Sequence, residues 1–325
     1  MNIQTKLAIT AILVVIPLSS IAVYSTNTNQ QFSTFDDSKL QVISSFNPLH
    51  EFSQIVGQEK INSILLVPVG VEPHDWEPTI KDVQQMQKSD LIIINGIGFE
   101  NWVDDLIDSG FDGIIVDTSK GIILTKSIDE EHKDEEHKDE EHKDEEHKDE
   151  EHGDHQHLEG DPHIWLNPIF AIKQVGNIAL AFSSADPENE EFYLTNAAKY
   201  SEELHKLDLK IRNQLSTCNK DFIAFHDAFS YFADEYDLNQ HTIIQTTNSH
   251  GEVTAKTLEN VISKARELNI KVIFSEETVN TKTSQIIANE IGGKVLVLSP
   301  LEVVSDDNYI SKMTQNLENL KEALC

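Results

Sequence analysis

Three histidines of this 325-residue chain stand in contexts that suit metal chemistry. His74 lies in Gly70-Val-Glu-Pro-His-Asp-Trp-Glu-Pro-Thr, His163 in Asp161-Pro-His-Ile-Trp-Leu-Asn-Pro, and His226 in Phe222-Ile-Ala-Phe-His-Asp-Ala-Phe-Ser-Tyr. Each follows the end of an apolar run or enters a helix-like segment, where open α/β sheets gather their ligands. A lone histidine there is more often an ordinary surface or core residue, but three in comparable positions point to a shared divalent-metal site. Three imidazoles with an open fourth position also describe a catalytic zinc. That hydrolase reading needs a general base beside a bound water, and no His-Glu-x-x-His sequence is present.

A second set of histidines belongs to a repeat. Asp-Glu-Glu-His recurs every five residues, ending at His132, His137, His142, His147 and His152, with His155 and His157 close behind. The tract has no apolar residue to bury, which predicts a flexible loop over 129–157. Successive histidines would turn by about 140° on a helix of 3.6 residues per turn, so no face collects them. Labile, auxiliary capture of divalent metal is the chemistry expected of imidazoles among carboxylates. The bland alternative is a solvated acidic linker.

Elements that could position these residues are legible as short apolar runs. Four precede the repeat, at 40–46, 64–67, 91–94 and 114–116, and four follow it, at 222–225, 242–244, 271–274 and 295–298. They are β-branched-rich and separated by helix-length stretches, the pattern of buried parallel strands in βα units. A helix over 186–216 is expected between the two sets, opened by Asp186 as cap and Pro187 at its first position. Its apolar residues Tyr193, Ala197, Tyr200, Leu204, Leu207 and Ile211 make one stripe. The last helix repeats that spacing with Met313, Leu317, Leu320 and Leu324. The expected fold is α/β: two similar lobes, each a four-stranded parallel sheet with flanking helices, over 39–185 and 217–325, joined by one long rigid helix.

Composition narrows the partners. With 56 acidic against 25 basic residues the net charge is -31, which repels nucleic acid and suits cations. Lys6 and the apolar run 7–24 have the character of a signal peptide or, at that length, an N-terminal membrane anchor, and 25–38 reads as a polar tether. Export to a periplasmic or cell-surface location is therefore expected, and export permits a disulfide between Cys218 and Cys325.

Taken together, these segments resemble the signatures of the zinc- and manganese-binding receptors of ABC importers. The similarity runs from about residue 40 to 324. It includes Leu91-Ile-Ile-Ile-Asn-Gly-Ile-Gly-Phe-Glu, Asp186-Pro-Glu-Asn and Phe225-His-Asp-Ala-Phe. The resemblance implies a non-enzymatic receptor, working as a monomer, that passes its cargo to a membrane permease. It implies ligation by His74, His163 and His226, with a His-rich loop standing where the repeat stands. Histidine at the third position favours Zn(II) over Mn(II). The fourth ligand departs from the family, because Ser299 occupies the stretch where relatives place an aspartate; Glu302, Glu72 or water are the alternatives. Some relatives also tie their second lobe with a disulfide. Competing readings are a manganese-type receptor, a zinc hydrolase, and a metal-buffering or adhesive surface protein.

Asp227 is expected to cap the following helix or to hold His226, and Thr79 with Asp82 to form a capping box. Trp76 and Trp165 would wall the site or fill the core. His250 is read as surface loop, and His50, His205 and His241 carry no assignment.

Overall fold

In the computed structural model, the described residues are 38–123, 160–244, 253–277 and 279–325. The apolar run 7–24, most of the tether, the repeat with its seven histidines, and His250 lie outside them. No helix among the described residues is long and apolar enough to cross a membrane.

Two parallel four-stranded sheets of the same topology form the framework. Strands β1 (Leu40–Ser44), β2 (Ile61–Leu65), β3 (Leu91–Ile94) and β4 (Ile114–Asp117) order as β2-β1-β3-β4. Strands β5 (Asp221–Ala224), β6 (Asn239–Thr242), β7 (Val272–Ser275) and β8 (Lys294–Val297) order as β6-β5-β7-β8. The central strands β3 and β7 are buried along their whole length, which is why they read as unbroken apolar runs. In each sheet the strand order reverses beside the first strand, so the carboxyl ends of its strands open onto a crevice.

Helices α1 (Asn47–Gly57), α2 (Ile80–Met86) and α3 (Val103–Asp108) connect the first sheet. Two long helices, α4 (Pro168–Ala185) and α5 (Glu190–Leu215), then lead to the second, whose connections are α6 (Ser230–Tyr236), α7 (Ala255–Glu267) and α8 (Lys282–Ile291); α9 (Tyr309–Leu324) ends the chain. At 26 residues and 1.5 Å per residue, α5 is about 39 Å long. Its buried stripe contains all six apolar positions expected from the sequence, and it packs on α1, α4, α6 and α9. As a result the inner faces of both sheets share one apolar cluster, running from Val42 and Phe46 through Tyr200 and Leu207 to Phe222 and Phe274. The outer faces keep separate clusters.

Three details differ from the sequence reading. Asp186 does not cap α5 through its side chain: Pro187–Asn189 form a 3-10 turn, and the carboxylate instead accepts from Asn189 Nδ2 at 2.7 Å and Tyr193 Oη at 2.7 Å. Strand β6 is the polar Asn239–Thr242, and the apolar Ile243 and Ile244 lie just beyond it, buried. None of the four residues of β6 is buried and Asn239 is exposed, so the strand carries no apolar run. Helix α4 was not expected as a separate element; Asn167 caps it by accepting from Ile169 N at 2.8 Å, with Pro168 at its first position.

Cys218 and Cys325 form a disulfide with Cα atoms 4.7 Å apart. The bond fastens the end of α9, whose buried face carries Met313, Leu317, Leu320 and Leu324, beside the entry to β5. Asn219 N donates to Leu324 O at 3.0 Å in the same place.

Candidate metal centre

Each sequence-predicted histidine follows the carboxyl end of a strand. His74 sits in the loop after β2, which ends where Thr79 and Asp82 form the expected capping box of α2. His163 follows β4 in the chain and precedes a 3-10 turn, Ile164–Leu166, that leads to α4. His226 comes directly after β5, and Glu302 comes after β8. The structure brings these four side chains together. One donor atom from each lies within 4.8 Å of every other, and among the described residues no other group of this kind could hold a metal ion.

Four of the six donor separations suit a single small cation. His163 Nε2 lies 3.1 Å from His74 Nε2, 3.3 Å from His226 Nε2 and 3.4 Å from Glu302 Oε1, and His74 Nε2 lies 3.3 Å from Glu302 Oε1. A tetrahedron with zinc–ligand bonds of 2.0–2.1 Å has edges of about 3.3 Å. Three imidazole nitrogens and one carboxylate oxygen at such separations are arranged for a cation at their centre.

Carboxylates behind the rings fix which nitrogen is offered. His163 Nδ1 meets Asp161 Oδ1 at 2.6 Å, and His226 Nδ1 meets Glu276 Oε1 at 2.6 Å. A carboxylate accepts, so each Nδ1 carries the hydrogen and each Nε2 is left with its lone pair toward the centre. Each carboxylate also accepts from the backbone N–H of its own histidine, at 3.0 and 3.2 Å. His74 differs, making its hydrogen bonds through Nε2 among the described residues and resting its ring edge-on against Phe99, centroids 4.7 Å apart.

Burial and charge oppose each other here. Burial lowers the His74 imidazole below the usual histidine range, only partly offset by Glu302. Burial acts the same way on His163 and His226, yet Asp161 with Glu302 outweighs it at His163, and Glu276 with Glu302 at His226, so both are raised. Burial would raise Glu302, but the three imidazoles hold it well below the ordinary carboxylate range. His163 and His226 are fully buried and Glu302 is 4% exposed, so the centre is sheltered from water.

The turn that delivers Glu302 is built by residues the sequence showed only as a departure. Ser299 accepts at Oγ from Leu301 N, 3.2 Å, while Asn316 grips the Ser299 backbone on both sides at 2.8 and 2.7 Å. Leu301 takes a left-handed φ of 63°, a costly geometry for a leucine, and the chain then presents Glu302 to the three histidines. Glu72 does not belong to the cluster.

Over residues 42–323 the chain matches the protein family described as ZnuA, zinc-uptake complex component A, periplasmic. The chain belongs to the ZnuA family. Similar proteins include the high-affinity zinc uptake system protein ZnuA of Bacillus subtilis, 39% identical over 88% of each chain. The zinc-binding lipoprotein AdcA of Streptococcus pneumoniae is 33% identical over 88% of this chain, which spans only 56% of that longer protein. Among solved structures, the metal-dependent lipoprotein YcdH of Bacillus subtilis superposes with a TM-score of 0.72 at 35% identity, covering 88% of this chain and 99% of that one.

Other residues of this ZnuA-family chain fall where chemistry would not have placed them in advance. Asp227 neither caps α6 nor reaches His226; it accepts from Gln240 Nε2. The partners of the rings, Asp161 and Glu276, were not singled out in the sequence. The signal for Asp161 was its place two residues before His163, and for Glu276 its place directly after β7. Trp165 both fills the core and walls the site, its ring 5.0 Å from that of His163, whereas Trp76 is half-buried against Trp102. Glu100, in the 91–100 motif, is a buried brace that accepts from Ser45 Oγ, Asn95 N and Gly96 N; burial raises it to about 7. His50 meets Ser63, and His241 of edge strand β6 meets Asp221 of β5, both outside the cluster.

Proposed function

We propose that the chain is the extracytoplasmic receptor of a zinc importer, binding one Zn(II) through His74, His163, His226 and Glu302 and passing it to an ABC-type permease. The observation that carries this reading is the set of four donor atoms, one from each residue, all within 4.8 Å of one another. Zinc is the cargo, held only until delivery. Zinc uptake or zinc binding is what the names of the ZnuA and AdcA relatives state of those proteins. A four-donor set with three imidazoles favours zinc over manganese, which prefers more oxygen ligands.

A fourth protein donor also argues for a receptor over a hydrolase. Catalytic zinc keeps a position open for water, whereas here Glu302 lies beside the three imidazoles as a fourth donor. The division into lobes over 39–185 and 217–325 with a link over 186–216 belongs to the same proposal. So does export by the N-terminal segment, operation as a monomer, and auxiliary capture by His132, His137, His142, His147, His152, His155 and His157. The test is direct competition. Protein purified without chelators or affinity-tag metals is titrated with zinc in the presence of excess manganese, and zinc should fill one tight site that manganese does not displace. Displacement by equimolar manganese would favour the manganese-type receptor.

A further inference from the structure

The two carboxylates behind the histidine rings are alike in their near side and different in their far side. Glu276 receives both its bonds, from His226 N and Nδ1, on Oε1, and its Oε2 is buried without a hydrogen-bond partner. Asp161 likewise receives His163 N and Nδ1 on Oδ1, but its Oδ2 accepts from Ser230 Oγ. Ser230 is the first residue of α6, which follows β5 and so belongs with the second sheet. Its neighbour Tyr231 donates from Oη to the backbone oxygen of Asp161 at 2.9 Å.

We infer that Asp161 is a cross-lobe positioning residue, one carboxylate oxygen aiming His163 at the metal while the other is held by Ser230 of the opposite lobe. The aim of a ligand borne by the first lobe then depends on the second lobe being in place. Further bonds keep the same short segment against the second lobe: Trp165 Nε1 donates to Pro300 O at 2.7 Å, and Tyr309 Oη donates to Trp165 O at 2.6 Å. Pro300 lies two residues before Glu302, so the segment that carries His163 is tied near a second ligand as well. Separation of the lobes would release Asp161 from Ser230 and loosen His163, coupling lobe opening to metal release. Glu276 provides the internal contrast, since it aims His226 without reaching across.

This inference rests on the proposed ligand set, and the experiment separates the two. Zinc release from the full chain is timed by stopped-flow chelation for the parent, Ser230→Ala, Ser230→Thr, Asp161→Asn and Glu276→Gln, with the visible spectrum of the cobalt(II) form as a readout of coordination. Ser230→Ala should release zinc about tenfold faster, the scale of losing one hydrogen bond to a charged group, with the tetrahedral cobalt spectrum kept. Ser230→Thr, which retains the hydroxyl, should restore slow release. In a double-mutant cycle Ser230→Ala should couple to Asp161→Asn and add independently to Glu276→Gln. Release from Ser230→Ala at the parental rate, or equal coupling to both carboxylates, would overturn the cross-lobe role. His163→Ala serves as the control. If it retains the tight site, the ligand assignment fails and this inference with it; if it loses the site while Ser230→Ala is unaltered, this inference alone fails.

Discussion

Zinc and the proton compete for the same Nε2 lone pairs. At the centre, burial leaves His74 with a lowered affinity for protons, while Asp161, Glu276 and Glu302 raise that of His163 and His226. His163 is raised to about 10. Near neutral pH, metal binding must therefore displace a proton from His163, while the lowered His74 is already free of one. Affinity should rise with pH from the ordinary imidazole range near 6.5 toward 10, the dissociation constant falling about tenfold per pH unit for each proton released. Calorimetry in buffers of different ionisation enthalpy should count about one proton or more at pH 7.5; none would contradict ligation by His163. The three histidines were legible because each sits in a distinctive local motif after a strand-like run. Glu302 was left among alternatives because its turn depends on Ser299, Leu301 and Asn316. Glu276 was passed over despite its place after β7, since its bond to His226 spans 50 residues and carboxylates are common.

At the scale of elements, periodicity read the buried strands and the helix stripes well and failed where an edge or a cap decides. β6 is polar because none of its residues is buried, and the cap expected of Asp186 gave way to bonds with Asn189 and Tyr193. The disulfide belongs to this scale as well. It closes a loop with a sequence separation of 107 and holds α9, whose buried stripe lies against the second lobe, to the start of β5. In the chain-entropy view a loop of about 100 residues contributes up to about 4–5 kcal/mol, with less expected where the reduced chain keeps structure. Reduction should lower the urea midpoint of the metal-free protein substantially. An unchanged midpoint would mean that α9 is held by packing alone.

Across the whole molecule, the two-lobe architecture was legible in eight apolar runs, but the single apolar cluster uniting both sheets was not, because it is assembled by α1, α4, α5 and α9 from distant parts of the chain. That shared core, with the bonds from Asp161, Trp165 and Asn167 to the second lobe, makes the cleft a property of the assembled fold. The four clustered donors, His74, His163, His226 and Glu302, come from the two lobes. Deleting 129–157 should therefore remove weaker zinc equivalents in a calorimetric titration while the tight site persists; loss of the tight site would place the repeat in primary coordination. The most direct test of the metal centre is zinc stoichiometry and affinity for the repeat-deleted chain with and without the combined change His74→Ala, His163→Ala and His226→Ala. One tight equivalent before the change and none after it is the result expected, with the fold retained by circular dichroism, whereas a folded triple variant that still binds one zinc as tightly as its parent would contradict the assignment.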